Sequence, residues 1–168
     1  MNRFLPALIA LPIAGLTATA HATTVLPLSL QEQAKRAEII VHARISAVSD
    51  ETRGDLPWRV YVLDVKEIIA GDPKELPQVS GAPSFAILGG NLSGQNVTLE
   101  GAPVLSAESE YILMLYKTPY DNPIVGFNQG VYFIQNGRVS PLRDNPTRIE
   151  NNELAPFKQR LVELRGTP

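Results

Sequence analysis

One histidine and a handful of carboxylates are the residues with chemistry to offer once an amino-terminal leader is set aside. His42 and Ser46 sit four residues apart in a stretch that alternates like a strand. That spacing separates them by about 13 Å, too far for the hydrogen bond that activates a serine nucleophile. His42 therefore reads as a surface histidine. Asp64, Glu67, Glu100, Glu108 and Glu110 are candidate acid–base groups. A glycosidase pair needs two carboxyls about 5–9.5 Å apart across a cleft. The spacing here builds no such cleft, and these residues read as solvated carboxylates. They also lack the Asp/Asn spacing of a calcium loop. The chain has no cysteine, which excludes thiolate metal sites and a cysteine nucleophile. With His21 in the leader, His42 alone cannot make a multi-histidine site. We expect no catalytic residue, no metal and no cofactor, and hence no enzyme.

Two groups of residues suit binding better than catalysis. Gly89-Gly90-Asn91 and Gly94 form a glycine-punctuated stretch whose backbone amides could cradle an anion. No Lys-Ser/Thr follows it, so it reads as a turn-rich loop. Its two glycosylation sequons, at Asn91 and Asn96, read as bare loop positions. Tyr116, Tyr120 and Phe127 could gather at one rim of a sheet, and aromatic rims are frequent binding surfaces. The other aromatic residues read as packing between strands.

The elements that must position these groups follow from hydrophobic period and turn chemistry. Arg3, the apolar run from Phe4 to Leu16 and the small-x-small Ala20-His21-Ala22 form a secretory signal peptide, residues 1–22. The run falls short of the roughly 20 residues of a spanning helix. What remains, Thr23 to Pro168, is sized for one domain. The formal charge of −2, without basic clusters, argues against nucleic acid and anionic membrane.

Ser29-x-x-Glu32 is a capping box that opens a short helix over 30–37. Residues 38–48 alternate as a strand, with Ile39, Val41, Ala43, Ile45 and Ala47 toward the core and the Ile40/His42 face toward solvent. Residues 49–57 read as a loop, and 58–69 as a second strand ending at Gly71-Asp72-Pro73. After a loop over 74–83 come a short strand over 84–88 and the glycine loop. A brief strand over 97–100 and the Gly101-Ala102-Pro103 corner follow. The continuous apolar run over 111–116 is the strand around which the others pair. Ile124–Phe127 is a further strand. Asn136-Gly137 is the strongest hairpin signal, joining 131–135 to 138–142. Leu154, Phe157, Leu161 and Leu164 stripe a carboxy-terminal helix over 154–165, stopped by Gly166. The fold expected is mainly β, a small antiparallel OB-like barrel with a helix at each end.

Several motifs carry a family resemblance. They are Ala37-Glu38-x-Ile40-Val41, Val65-Lys66-Glu67-Ile68-Ile69-Ala70-Gly71, Gly89-Gly90, Gly101-Ala102-Pro103, Glu110 to Leu115, and Val125-Gly126-Phe127-Asn128-Gln129-Gly130. The match covers most of the mature chain, from Ala37 to Phe133. The chain resembles a group of exported bacterial proteins, mostly uncharacterised, whose barrel is similar to that of netrin-like domains and the tissue inhibitors of metalloproteinases. Those inhibitors chelate the target's zinc through an amino-terminal cysteine held by disulfides. This chain would present Thr23 and Thr24 instead, and has Glu108-Ser109 where the bacterial group often has Gly-Glu.

The resemblance implies a periplasmic or secreted, non-enzymatic module that binds a protein, in the manner of a protease inhibitor, with an exported metalloprotease as the partner. The expected binding residues are Thr23, Thr24, Gly89, Gly90, Asn91 and Gly94. The alternative is a small-ligand or glycan-binding protein that uses Tyr116, Tyr120 and Phe127.

Overall fold

The computed structural model describes residues 26–92, 94–118 and 120–166. In chain order the elements are α1 (Leu30–Arg36), β1 (Ile39–Arg53), β2 (Leu56–Ala70), a 3₁₀ turn (Pro73–Glu75), β3 (Gln78–Val79), β4 (Ala82–Leu92), β5 (Gln95–Thr98), β6 (Glu110–Leu115), β7 (Val131–Gln135), β8 (Arg138–Pro141) and α2 (Leu154–Arg165). The signal-peptide segment lies outside the described residues. Among those described, no helix is long and apolar enough to cross a membrane.

The protein is mainly β, built on one antiparallel sheet in the order β3-β4-β2-β1-β6-β7-β8, with β5 paired to β4. β6 lies between β1 and β7, and both of its faces are covered. Tyr111, Leu113 and Leu115 point into one core cluster with Ile39, Val41, Ile45, Tyr61, Leu63 and Phe85. Ile112 and Met114 point into a second, under the helices, with Ala34, Ile40, Tyr132, Phe157 and Leu161. A strand buried on both faces must be apolar at every position, so the run over 111–115 shows no alternation. Burying each large side chain contributes roughly 1.5–3 kcal/mol.

The strand ladder does not close into a ring. Its two ends approach at one place: Tyr116 N–H donates to the Pro123 carbonyl at 2.9 Å, and Leu88 N–H donates to the Asp121 carbonyl at 2.7 Å. Residues 121–123 thus link the end of β6 to the edge of β4 that faces away from β2. The sheet is curled and barrel-like, with part of one wall made of irregular chain.

Several expectations are corrected. Ile40 does not face solvent; α1 and α2 cover it, and His42 is buried beside it. Ala47 is exposed, because a bulge between Ile45 and Ala47 breaks the register and ends the inward alternation. Residues 49–57 are not a loop. β1 and β2 pair as far as Arg53 and Leu56, around a two-residue Gly54-Asp55 turn in which Gly54 has φ +60°. The glycine stretch is likewise part of a strand: Gly89, Gly90 and Asn91 pair with β5, and the turn includes Gly94. Residues 74–83 hold the 3₁₀ turn and β3. Ile124–Phe127 makes a single bridge, Leu115 to Ile124, and then turns, with Phe127 at φ +71°.

The helices form largely as the sequence dictates. Ser29 Oγ accepts from the Glu32 amide, and the Glu32 carboxylate accepts from the Ser29 amide. α2 buries Phe157 and Leu161, with Phe157 tilted against Tyr132 at 5.0 Å between centroids. A buried polar network joins this layer to the start of the described chain. Tyr132 Oη donates to Gln33 Oε1 at 2.6 Å, and Gln33 Nε2 donates to the Leu28 carbonyl and to Thr147 Oγ1. Burial pushes the Tyr132 phenol up to about 12.

Candidate functional site

The expected site residues do not form one site. Thr23 and Thr24 lie outside the described residues. The lead-in that follows them is held at its base. Gln129 Oε1 accepts from Leu28 N–H at 2.6 Å, and Gln129 Nε2 donates to the Leu26 carbonyl at 3.0 Å. Asn145 in turn donates to the Gln129 carbonyl at 2.9 Å. The chain has no disulfide to fix this segment, and one buried glutamine side chain fixes it instead.

Gly89 and Gly90 are buried within β4, so they present no loop to a partner. Gly90 is required by what lies against it. A Cβ there would stand 2.7 Å from Asp50 Oδ1. Asn91 is exposed. Its amide donates to Asp50 Oδ2 at 2.9 Å, and its side chain accepts from the Gly94 amide at 2.9 Å. The β4–β5 hairpin is therefore tied to the β1–β2 hairpin through Asp50. Arg59 completes the tie, donating from Nε and one terminal nitrogen to the two Asp50 oxygens at 2.8 and 3.0 Å. Arg59 and, secondarily, the Asn91 amide hold the Asp50 carboxyl below the usual carboxylate range.

This clamp supports a free sheet edge. β1 pairs with β6 only over Ile39–Arg44, followed by reciprocal bonds of Ile45 with Glu108 and Ser109. Among the described residues no strand pairs with that edge from Ser46 to Arg53, and all eight residues are exposed. The Asp50 side chain is only 23 % exposed, so solvent meets this residue largely through its main chain.

Tyr116 and Tyr120 do come together, edge to face, with centroids 5.5 Å apart. Both line a cavity of about 200 Å³ with Trp58, Phe85, Arg53 and Lys117. Phe127 is elsewhere. Its ring lies 3.4 Å from the position a Cβ would take on Gly101, because the turn after Ile124 carries it away from the rim. A wider groove of about 520 Å³ runs between α1 and α2, with Arg148, Arg160 and Glu163 on its walls.

The candidate acid–base groups are mostly paired on the outer face of the sheet. Glu110 bonds His42 Nε2 at 3.0 Å, Glu108 and Asp64 bond Arg44, Asp64 also bonds Lys66, and Glu67 bonds Lys158. Lys66, ahead of Arg44, holds the Asp64 carboxyl below its usual range. Glu100 sits exposed in a turn. Among the described residues no cluster of three His, Asp or Glu side chains could hold a metal ion.

The sequence reading missed Asp50, Arg59, Trp58 and Gln129. A signal existed for the first two. Gly-Asp between two runs of strand-compatible residues is a two-residue hairpin signal, and it places positions 50 and 59 across from each other. Gln129 gives no comparable signal, since its partners lie 101 and 103 residues away. In comparison with known proteins, no family model matches the chain, and no curated protein matches it in sequence.

Proposed function

We propose that this protein is an exported, non-enzymatic module that binds another protein at the hairpin end of its sheet. The observation that carries this reading is the β1 edge from Ser46 to Arg53, with which no strand pairs among the described residues. An edge of exposed amides and carbonyls is a template for an added strand. The clamp among Asp50, Arg59 and Asn91 holds that edge in register, so little ordering is left to be done on binding. The partner contributes an extended segment, whose main chain completes the ladder. Supporting the non-enzymatic part, His42 and Glu110 are hydrogen-bonded to each other, and Asp64, Glu67 and Glu108 are engaged in ion pairs with Arg44, Lys66 and Lys158.

A second reading is favoured by the Gln129 clamp on Leu26 and Leu28. It is inhibitor-like capture of an exported metalloprotease through the Thr23–Pro27 lead-in, with the fixed base standing in for the missing disulfides. Affinity capture from the exported fraction separates the two. Adding one residue ahead of Thr23 abolishes capture if the terminus binds, and leaves it intact if the β1 edge binds. A charge-preserving insertion between Asn91 and Asn96 weakens edge binding only. Capture unchanged by both alterations would contradict both readings.

A further inference from the structure

We propose that the cavity beside Trp58 is a binding site for a flat apolar ring that carries one carboxylate, independent of any partner at the β1 edge. Its deep wall is apolar: Leu76 and Phe85 are almost wholly buried. Its sides are aromatic, from Trp58, Tyr116 and Tyr120. Tyr120 is 53 % exposed, so its ring stands at the mouth, set edge-on to Tyr116. At about 200 Å³ the space takes one ring-sized group, smaller than the sites of drug-sized ligands at roughly 300–1,000 Å³. Neither a helix nor a folded domain enters it.

The charge at the rim selects among ring compounds. Among the described residues, the charged side chains lining the cavity are two cations, Arg53 and Lys117. The Arg53 guanidinium lies 5.2 Å from the Trp58 ring centroid. A quaternary ammonium, the usual guest of an aromatic cage, is repelled by these two charges. An anion is attracted. Glu51 pairs with Arg53 and Glu75 with Lys117, but neither glutamate lines the cavity. All four of these side chains are 40–46 % exposed. Ion pairs that exposed are weak and exchangeable, so a ligand carboxylate can take over either cation. The apolar depth and cationic rim therefore fit an aromatic carboxylate, with the ring stacked inside and the carboxylate at the mouth. Free aromatic acids and the carboxy-terminal aromatic residue of a peptide share this chemistry.

Trp58 is the only tryptophan in the chain, so its fluorescence reports this cavity without background. The purified full-length protein is titrated with phenylacetate, phenylacetamide, glucose, and a peptide ending in phenylalanine with a free or an amidated carboxyl. The expected result is a saturable change with phenylacetate, at least tenfold tighter than with phenylacetamide. Tyr120→Ala and Lys117→Gln each weaken it at least tenfold, with the melting temperature unchanged because both side chains are partly exposed. Tighter binding of the free-carboxyl peptide than of phenylacetate assigns the site to peptide ends, and the reverse to free acids. Equal binding of acid and amide, a response to glucose alone, or no saturable change at all overturns the proposal.

Discussion

Asp50 and Arg59 meet in two parallel hydrogen bonds of 2.8 and 3.0 Å, and the same carboxylate takes the Asn91 amide at 2.9 Å. One side chain thereby joins two hairpins. Its pKa is lowered, first by Arg59 and then by the Asn91 amide. The stabilisation is therefore present above the ordinary aspartate value of about 3.9 and is lost as pH falls through the lower folded value. In an NMR titration the Asn91 amide should hold its position down to about pH 4 and shift only below it. Asp50→Asn should remove that transition. A midpoint at or above the ordinary value would contradict the clamp.

Gly90 leaves room for the same carboxylate. Its φ is +121°, and an added Cβ would stand 2.7 Å from Asp50 Oδ1. Gly90→Ala should lower unfolding stability by about 1–3 kcal/mol, measured by urea denaturation. Combined with Asp50→Ala, which removes the obstructing oxygens, the added cost should shrink to the backbone part alone. Full additivity would mean that the two residues do not meet.

Tyr132 is fully buried and donates to Gln33 Oε1. Its phenol is pushed up to about 12 by burial, so the folded state keeps the proton over a range in which the unfolded chain has lost it. Stability should be level below about pH 10 and fall as pH rises from there toward 12. Tyr132→Phe should cost about 1–3 kcal/mol at neutral pH by leaving Gln33 Oε1 without its donor, and should flatten the alkaline fall. Chemical denaturation at a series of pH values reads both effects.

Gln129 anchors both Leu26 and Leu28. Gln129→Ala should release the lead-in and make the peptide bonds ahead of Ser29 more open to limited proteolysis, while the sheet stays protected. Mass spectrometry of the first cleavage products distinguishes this from general unfolding, which would expose β6 as well.

What could be read from the sequence depended on the range of the interaction behind each signal. The capping box at Ser29 and Glu32, the Asn136-Gly137 turn, the apolar stripe of α2 and the unbroken run of β6 are local patterns, and each formed where the pattern lay. The β1–β2 hairpin was misread because its β1 strand buries nothing from Ser46 to Arg53 and so shows no hydrophobic period there. The Gly89–Asn91 stretch was misread as a turn because Gly90 answers to Asp50, 40 residues away in the chain, and Gly89 to the backbone from Val97 to Leu99, rather than to a local bend. The aromatic rim was legible for Tyr116 and Tyr120, four residues apart, and illegible for Trp58, which only the closing contact between Leu88 and Asp121 brings within reach.

The central claim is that the β1 edge from Ser46 to Arg53 receives a strand. Val48 and Ser49 pair in regular register with Tyr61 and Val60. Successive amides along a strand point to opposite sides, so one of the two faces β2 and the other faces solvent. Proline tolerates only the outward position of an edge strand. The measurement is affinity capture from the exported fraction with the wild-type chain and with whichever of Val48→Pro and Ser49→Pro keeps the wild-type melting temperature. The account predicts a partner retained by the wild type and lost by that fold-neutral variant. Equal retention by both, or no partner on either, would contradict it.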